Sequence, residues 1–140
     1  MTRIDFYILA SDDPRQRLVT ACRIAEKAWR QGMRVFLHAP EQAQALDDLL
    51  WTFSSGSFVP HGLQDDEDAP EQPVLVGTGG EPGPEHADVL INLSDEIPPF
   101  FTRFRRLAEV LHRSPPVLEQ GRARFRHYRE RGYELHTHNL

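Results

Sequence analysis

The sequence has one cysteine, one lysine and no apolar run long enough to cross a bilayer, and each shortage closes off a class of protein. A lone Cys22 allows no intrachain disulfide, which fits a reducing cytoplasm. It falls within a helical pattern, where a small core residue is expected rather than a catalytic thiol. A membrane-spanning helix would need about 18 consecutive apolar residues, and no such run exists. The opening "MTRIDFYILASDD" lacks the charged n-region and small-residue cleavage site of a secretory signal. Nucleotide-binding signatures are missing too. The loop after the first apolar run, "ASDDPRQR", has no glycine and carries two acids, which would repel a phosphate. The glycine-rich "GTGGEPG" lacks a following Lys-Ser/Thr, and Pro82 and Pro84 stop a helix from starting there. The seven histidines are scattered. His136 and His138 alternate without a third ligand at a telling spacing and read as a solvated tail. His61, in "FVPHG", reads as a polar loop histidine with no Ser or Cys partner. The acids Asp65 to Asp68 read as a solvated charge run. No cofactor, metal or catalytic centre is expected.

What is present suffices for one domain spanning residues 1–140, with 39% hydrophobic residues to fill a core. "IDFYIL" reads as a buried strand. "SDDPRQ" starts a helix, with Asp12 or Asp13 able to cap and Pro14 in the first turn. Leu18, Cys22, Ala25 and Trp29 recur at helical spacing until Gly32 ends the helix. "MRVFLH" is the next strand, so a strand–helix–strand unit with parallel strands is expected. "PEQAQALDDLLWTF" predicts a second helix with Pro40 at its start, followed by a short strand at Phe58–Val59. "PVLVG" and "ADVLINL" predict strands separated by "TGGEPGPEH", a flexible loop. The acidic segment 64–71 and the glycine-rich segment 77–83 are expected to be variable loops. "PPFFTRF" predicts a short helix. "RRLAEVL" fits helix or edge strand, and strand is preferred. "SPPVLEQGRARFRHYRERG" predicts the last helix, capped by Ser114 with Pro115 at its first position, and "YELHTH" a final strand. The expected architecture is a three-layer α/β/α domain with a mainly parallel central sheet.

Charge is unevenly distributed. Residues 1–100 carry seven Lys/Arg against seventeen Asp/Glu, whereas residues 101–140 carry nine arginines against four glutamates. That asymmetry points to an anionic partner for the C-terminal part. Fifteen of the sixteen basic residues are arginine, the better side chain for bidentate carboxylate contacts. On a wheel of about 100° per residue, Arg122, Arg126 and Arg129 fall within about 60° of one another. Val117, Leu118, Phe125 and Tyr128 form an adjoining apolar stripe with Gly121 between them. One reading is an amphipathic helix docked on the sheet with its arginines in water. A second is a site for an acidic peptide ending in apolar residues, whose last side chain enters a pocket while arginines meet its carboxylates. A third is direct binding of single-stranded nucleic acid, opposed by the acidity of the rest of the chain. An enzymatic alternative, a degenerate nucleotide-binding hydrolase, is opposed by the missing phosphate loop.

The other unusual stretch is "LLWTFSSGSFVPHG". Trp51, Phe53 and Phe58 gather at a helix end and loop, while Leu46, Leu49 and Leu50 already serve the helix's apolar face. At least one ring is therefore expected to face outward, as at a protein interface.

Taken in order, "DFYIL", "AEKAWRQGMRV", "LDDLLWTFSSGSFVPHG", "ADVLINLSDEIPPFFTRFRRLAEVL" and "RARFRHYRERGYEL" resemble the chi subunits of bacterial DNA polymerase III holoenzyme across nearly the whole chain. The resemblance implies a cytoplasmic clamp-loader accessory protein without enzymatic activity. It implies two partners: the psi subunit, and the acidic C-terminal tail of single-stranded DNA-binding protein, which ends in apolar residues. Trp51 and Phe58 match the rings that contact psi, a surface that overlaps the one engaged by a helicase of the iron–sulfur type. Leu111, Arg122, Phe125, Arg126 and Arg129 match the tail-binding positions, and the wheel selects the same three arginines. Leu118 lies near a position where a basic residue is expected, and Phe125 stands where tyrosine is usual.

Overall fold

A computed structural model describes residues 1–140. Seven strands, β1 (Arg3–Ile8), β2 (Val35–His38), β3 (His61–Leu63), β4 (Val74–Gly77), β5 (Val89–Asn92), β6 (Arg106–Leu111) and β7 (Glu134–Asn139), form one sheet. Their order is β3-β4-β2-β5-β6-β1-β7, and every pairing is parallel. Helices α1 (Pro14–Arg30) and α2 (Ala43–Thr52) cover one face, and α3 (Pro115–Glu130) covers the other with two short 3₁₀ turns. The sheet is parallel throughout rather than mainly so.

Strand periodicity divides the core in two. Successive side chains point to opposite faces. Val35, Leu37, Val74, Val76, Val89, Ile91, Ala108 and Val110 therefore meet α1 and α2. Ile4, Phe6, Phe36, Leu75, Leu90, Leu107 and Leu111 meet α3 and the turn at Phe101–Arg103. Cys22 is fully buried on the α1 side, and burial pushes its thiol up to about 12, so it is an inert core residue.

Local signals explain the helix ends. The Asp13 side chain accepts from the Arg15 N–H at 2.9 Å, and Pro14 opens α1. Gly32, at φ +83°, closes it: its N–H reaches the Trp29 carbonyl, and the Met33 N–H reaches Ala28. Helix α3 ends in the same way at Gly132, at φ +80°, with Tyr133 bonding back to Tyr128. Ser114 occupies the α3 cap position without a side-chain bond.

Several elements differ from the sequence reading. β6 lies between β5 and β1 in the interior of the sheet, not at an edge. The strand expected at Phe58–Val59 forms three residues later, at His61–Leu63. There His61 is buried: its ring contacts the Val59 and Asp47 carbonyls at 2.7 and 3.0 Å, so it is no loop histidine. α2 starts at Ala43 rather than Pro40. The segment 78–86 is pinned by Arg103, whose guanidinium bonds to Glu81 and to the carbonyls of Pro82, Gly83 and His86. His136 and His138 belong to β7, where His138 stacks on Tyr7 and contacts Asp5 at 2.9 Å.

The most consequential polar contact is buried beneath α3. Glu109, on β6, is 0% exposed and accepts from Arg124 Nε at 3.1 Å, Tyr128 Oη at 2.7 Å and Asn92 Nδ2 at 3.1 Å. Removing one partner of such a buried pair typically costs about 3–5 kcal/mol, because the other charge is left without compensation. Arg124→Ala is therefore expected to destabilise by about that amount, whereas Arg126→Ala, on the exposed face of the same helix, should stay within about 0.5 kcal/mol. Urea unfolding of both variants checks the contrast, and equal midpoints would contradict the assigned roles.

Candidate functional site

The arginine-bearing face is built from α3 and the ends of β6 and β1. Because Arg124 and Tyr128 are committed to Glu109, the rotation of α3 about its axis is fixed. Arg122, Arg126 and Arg129 then point to solvent, and none of the three joins any of the chain's ion pairs or side-chain hydrogen bonds. Arg124 is the one helix arginine spent on an internal carboxylate, with only 4% of it exposed.

Next to this ridge is a notch of about 240 Å³. Phe6, Ile8, Leu111, Leu118 and Phe125 supply its apolar walls, and Arg113 and Arg122 lie on its lining. Phe125 is half-buried and sits edge-on to Phe6, with ring centroids 5.2 Å apart. Gly121 makes the close approach possible, since a Cβ there would fall 2.4 Å from Leu111 Cδ1. Of the five residues matched to tail binding, Leu111, Arg122 and Phe125 line the notch itself. Arg126 and Arg129 lie one and two turns further along α3, outside it. Tyr128, read as part of the apolar stripe, is fully buried and takes no part in the notch. Arg113 was missed by sequence reasoning. It falls in a two-residue connection between β6 and the α3 cap, where no periodicity marks a side chain's direction.

The second surface lies at the far edge of the sheet. Trp51 closes α2 and Phe58 precedes β3, and they remain 53% and 66% exposed. Their rings are 5.7 Å apart at 61°, and Trp51 also leans on His61 at 4.5 Å. Phe53 packs half-buried against the core, so two of the three rings face outward. β3 and β1 are five strand spacings apart, about 24 Å.

Gly121 offers a test of the notch as a packed feature. Alanine gains about 1 kcal/mol of helix propensity over glycine, but crowding Leu111 costs about 1–3 kcal/mol. Gly121→Ala is expected to lower the urea midpoint, and a raised midpoint would show that Leu111 yields freely.

Comparison with known proteins identifies the family. Residues 1–136 match the family described as "DNA polymerase III chi subunit, HolC". The "DNA polymerase III subunit chi" of Pseudomonas aeruginosa is 51% identical over 142 residues, covering 100% of this chain and 98% of that protein. The proteins of the same name from Haemophilus influenzae and Escherichia coli are 31% and 29% identical, covering 96% and 98% of this chain and 95% and 97% of their own. The chain belongs to the DNA polymerase III chi subunit family.

Proposed function

We propose that this chain is a cytoplasmic, non-catalytic adaptor of the replication machinery. One surface holds the psi subunit of the clamp loader, and the other holds the acidic C-terminal tail of single-stranded DNA-binding protein. The observation that carries the second half is the apolar notch flanked by guanidinium groups with no carboxylate partner of their own. A terminal aromatic side chain fits the notch, and its free α-carboxylate lies within the reach of Arg122. Acidic residues upstream then run over Arg126 and Arg129. Charge-assisted hydrogen bonds of this kind contribute about 1.5–3 kcal/mol each when partly desolvated. Exposed pairs contribute about 0–1 kcal/mol.

Calorimetry with a short acidic peptide ending in proline and phenylalanine tests the reading. Affinity on the order of micromolar is expected, weakening with added salt. Amidating the terminal carboxylate should weaken binding about tenfold, and Arg126→Ala about three- to tenfold without unfolding the chain. Unchanged affinity in both cases would remove the site. If a single-stranded oligonucleotide bound this face at least as tightly as the peptide, the nucleic-acid reading would replace it.

The psi half rests on the two outward rings, Trp51 and Phe58, since paired aromatics this exposed are what an interface core supplies. A helicase of the iron–sulfur type would compete for the same rings. Trp51→Ala should abolish co-purification with psi and leave tail-peptide affinity intact. Retention of psi by that variant would contradict the assignment.

A further inference from the structure

We infer that an acidic polypeptide tail, with its last side chain in the notch, pairs its backbone with the free edge of β7 and lies there as an added parallel strand. The pairing rests on the reading of the notch as a tail site, and it assigns the conformation in which the tail is held.

β7 ends the sheet and has β1 as its single neighbour. The ladder determines which of its backbone groups are free. The Leu140 N–H donates to the Ile8 carbonyl at 2.9 Å. In a parallel ladder a residue turns its N–H and its carbonyl to the same neighbour, and the next residue turns them the other way. His136 and His138 therefore bond to β1, whereas Leu135, Thr137 and Asn139 aim their N–H and carbonyl groups away from the sheet. Edges of this kind are commonly blunted by proline, lysine, a bulge or short length. β7 has none of these devices: it reads "ELHTHN" and keeps register with β1 over all six residues. β3, at the opposite edge, is three residues long and is preceded directly by Pro60.

The free edge is continuous with the notch. Leu135 packs on the α3 face of the sheet, and Thr137 and Asn139 line the notch itself. The rotation of α3 brings its arginines to the same side. Arg124 faces the segment after β5, where it reaches the Asp95 carbonyl, and Phe125 meets Phe6 on β1. Continuing round the helix in that sense, at about 100° per residue, Arg129 and Arg122 come next, toward β7. An acidic chain is drawn to this strip of unpaired guanidinium groups beside unpaired backbone.

The direction and facing of the added strand follow. α3 joins two strands that are both parallel to β1, so it runs against them. A tail whose end is in the notch and whose earlier residues pass Arg126 and Arg129 therefore runs in the direction of β7. Within the sheet, residues facing α3 bond toward the β7 edge, as Ile8 does, and the alternate residues bond away from it, as Leu9 does to Leu111. The terminal side chain faces α3, as do those two and four residues before it, which meet the arginines. Residues one, three and five before the end turn their backbone groups to β7.

Calorimetry with an acidic peptide ending in proline and phenylalanine would compare two single N-methylations. Methylating the amide of the residue three before the phenylalanine blocks an N–H aimed at β7 and is expected to weaken binding about fivefold or more. Methylating the residue four before it blocks an N–H aimed at solvent and should change affinity by less than about twofold. In the saturated complex, NMR hydrogen exchange should slow at the Thr137 and Asn139 amides. Equal affinities of the two methylated peptides, or unchanged exchange at both amides, would overturn the pairing and leave the notch standing as a tail site. Absence of binding by the unmodified peptide would remove both. A dimer of the free chain that persists at saturating peptide, with Thr137 and Asn139 already protected, would give the edge to a second copy and overturn the pairing.

Discussion

One buried carboxylate sets the position of the arginine-bearing face of this chain. Glu109 sits in the middle of the sheet with no solvent contact, and its charge is answered by Arg124, Tyr128 and Asn92. A charge so placed is expensive unless every lone pair is met, so the arrangement tolerates little play. Arg124 and Tyr128 lie four residues apart on one face of α3 and both point down at it. Burial, then the neighbouring carboxylate, raises the Tyr128 phenol well above its ordinary value, so it acts only as a donor. The register of α3 on the sheet follows, and with it the outward direction of Arg122, Arg126 and Arg129. The same knot extends to the segment after β5: Arg124 holds the Asp95 carbonyl and Asn92 holds that of Glu96. The notch and the acidic segment after β5 therefore share a support, although they lie on different parts of the surface.

Separation of the two interaction surfaces comes from strand order rather than from any linker. The outward rings flank β3 at one edge, while the notch lies over β6 and β1, near the other edge. Under the proposed adaptor role, the five strand spacings between them would leave room for two macromolecular partners at once. A bridge of that kind acts through effective concentration. Even modest affinity at each end becomes substantial once the first contact is made, provided the spacing is fixed. This suits an adaptor whose exposed ion pairs are individually weak.

Much of the architecture could be read from the sequence because parallel strands buried on both faces give short apolar runs between clear helix signals. "IDFYIL", "VFLH" and "VLIN" all behaved in this way. The reading faltered where one residue broke the pattern for a tertiary reason. In "RRLAEVL" the apolar residues Leu107, Val110 and Leu111 do not settle the period, and a glutamate at position 109 gives no sign that the strand is central. Arg124 is chemically identical to its exposed neighbours, and only the position of Glu109 distinguishes it. β3 slid from Phe58–Val59 to His61–Leu63 because the His61 ring finds carbonyl partners in the interior, leaving Phe58 outside. The wheel chose the right arginines for the exposed ridge, yet could not show that only Arg122 borders the notch or that Arg113 joins it. Those facts depend on where α3 starts relative to the end of β6.

The charge imbalance seen along the sequence becomes a spatial one in the fold. Acids gather at the carboxyl ends of β2, β4 and β5, where open α/β sheets commonly bind phosphates. There they make a poor home for an anion. At the neighbouring end of β6, Arg17 is buried from the first turn of α1 and spends its Nε on the Val110 carbonyl, so it is not presented to a ligand phosphate. The notch beside the basic ridge of α3 opens at the carboxyl ends of β1, β6 and β7, displaced along the sheet toward the β7 edge. An acidic polypeptide approaching the molecule is repelled by the first region and attracted by the second, over roughly the 10 Å that salt permits. Charge sorted by the fold thus does more than raise affinity: it decides which strands' ends an anionic partner meets.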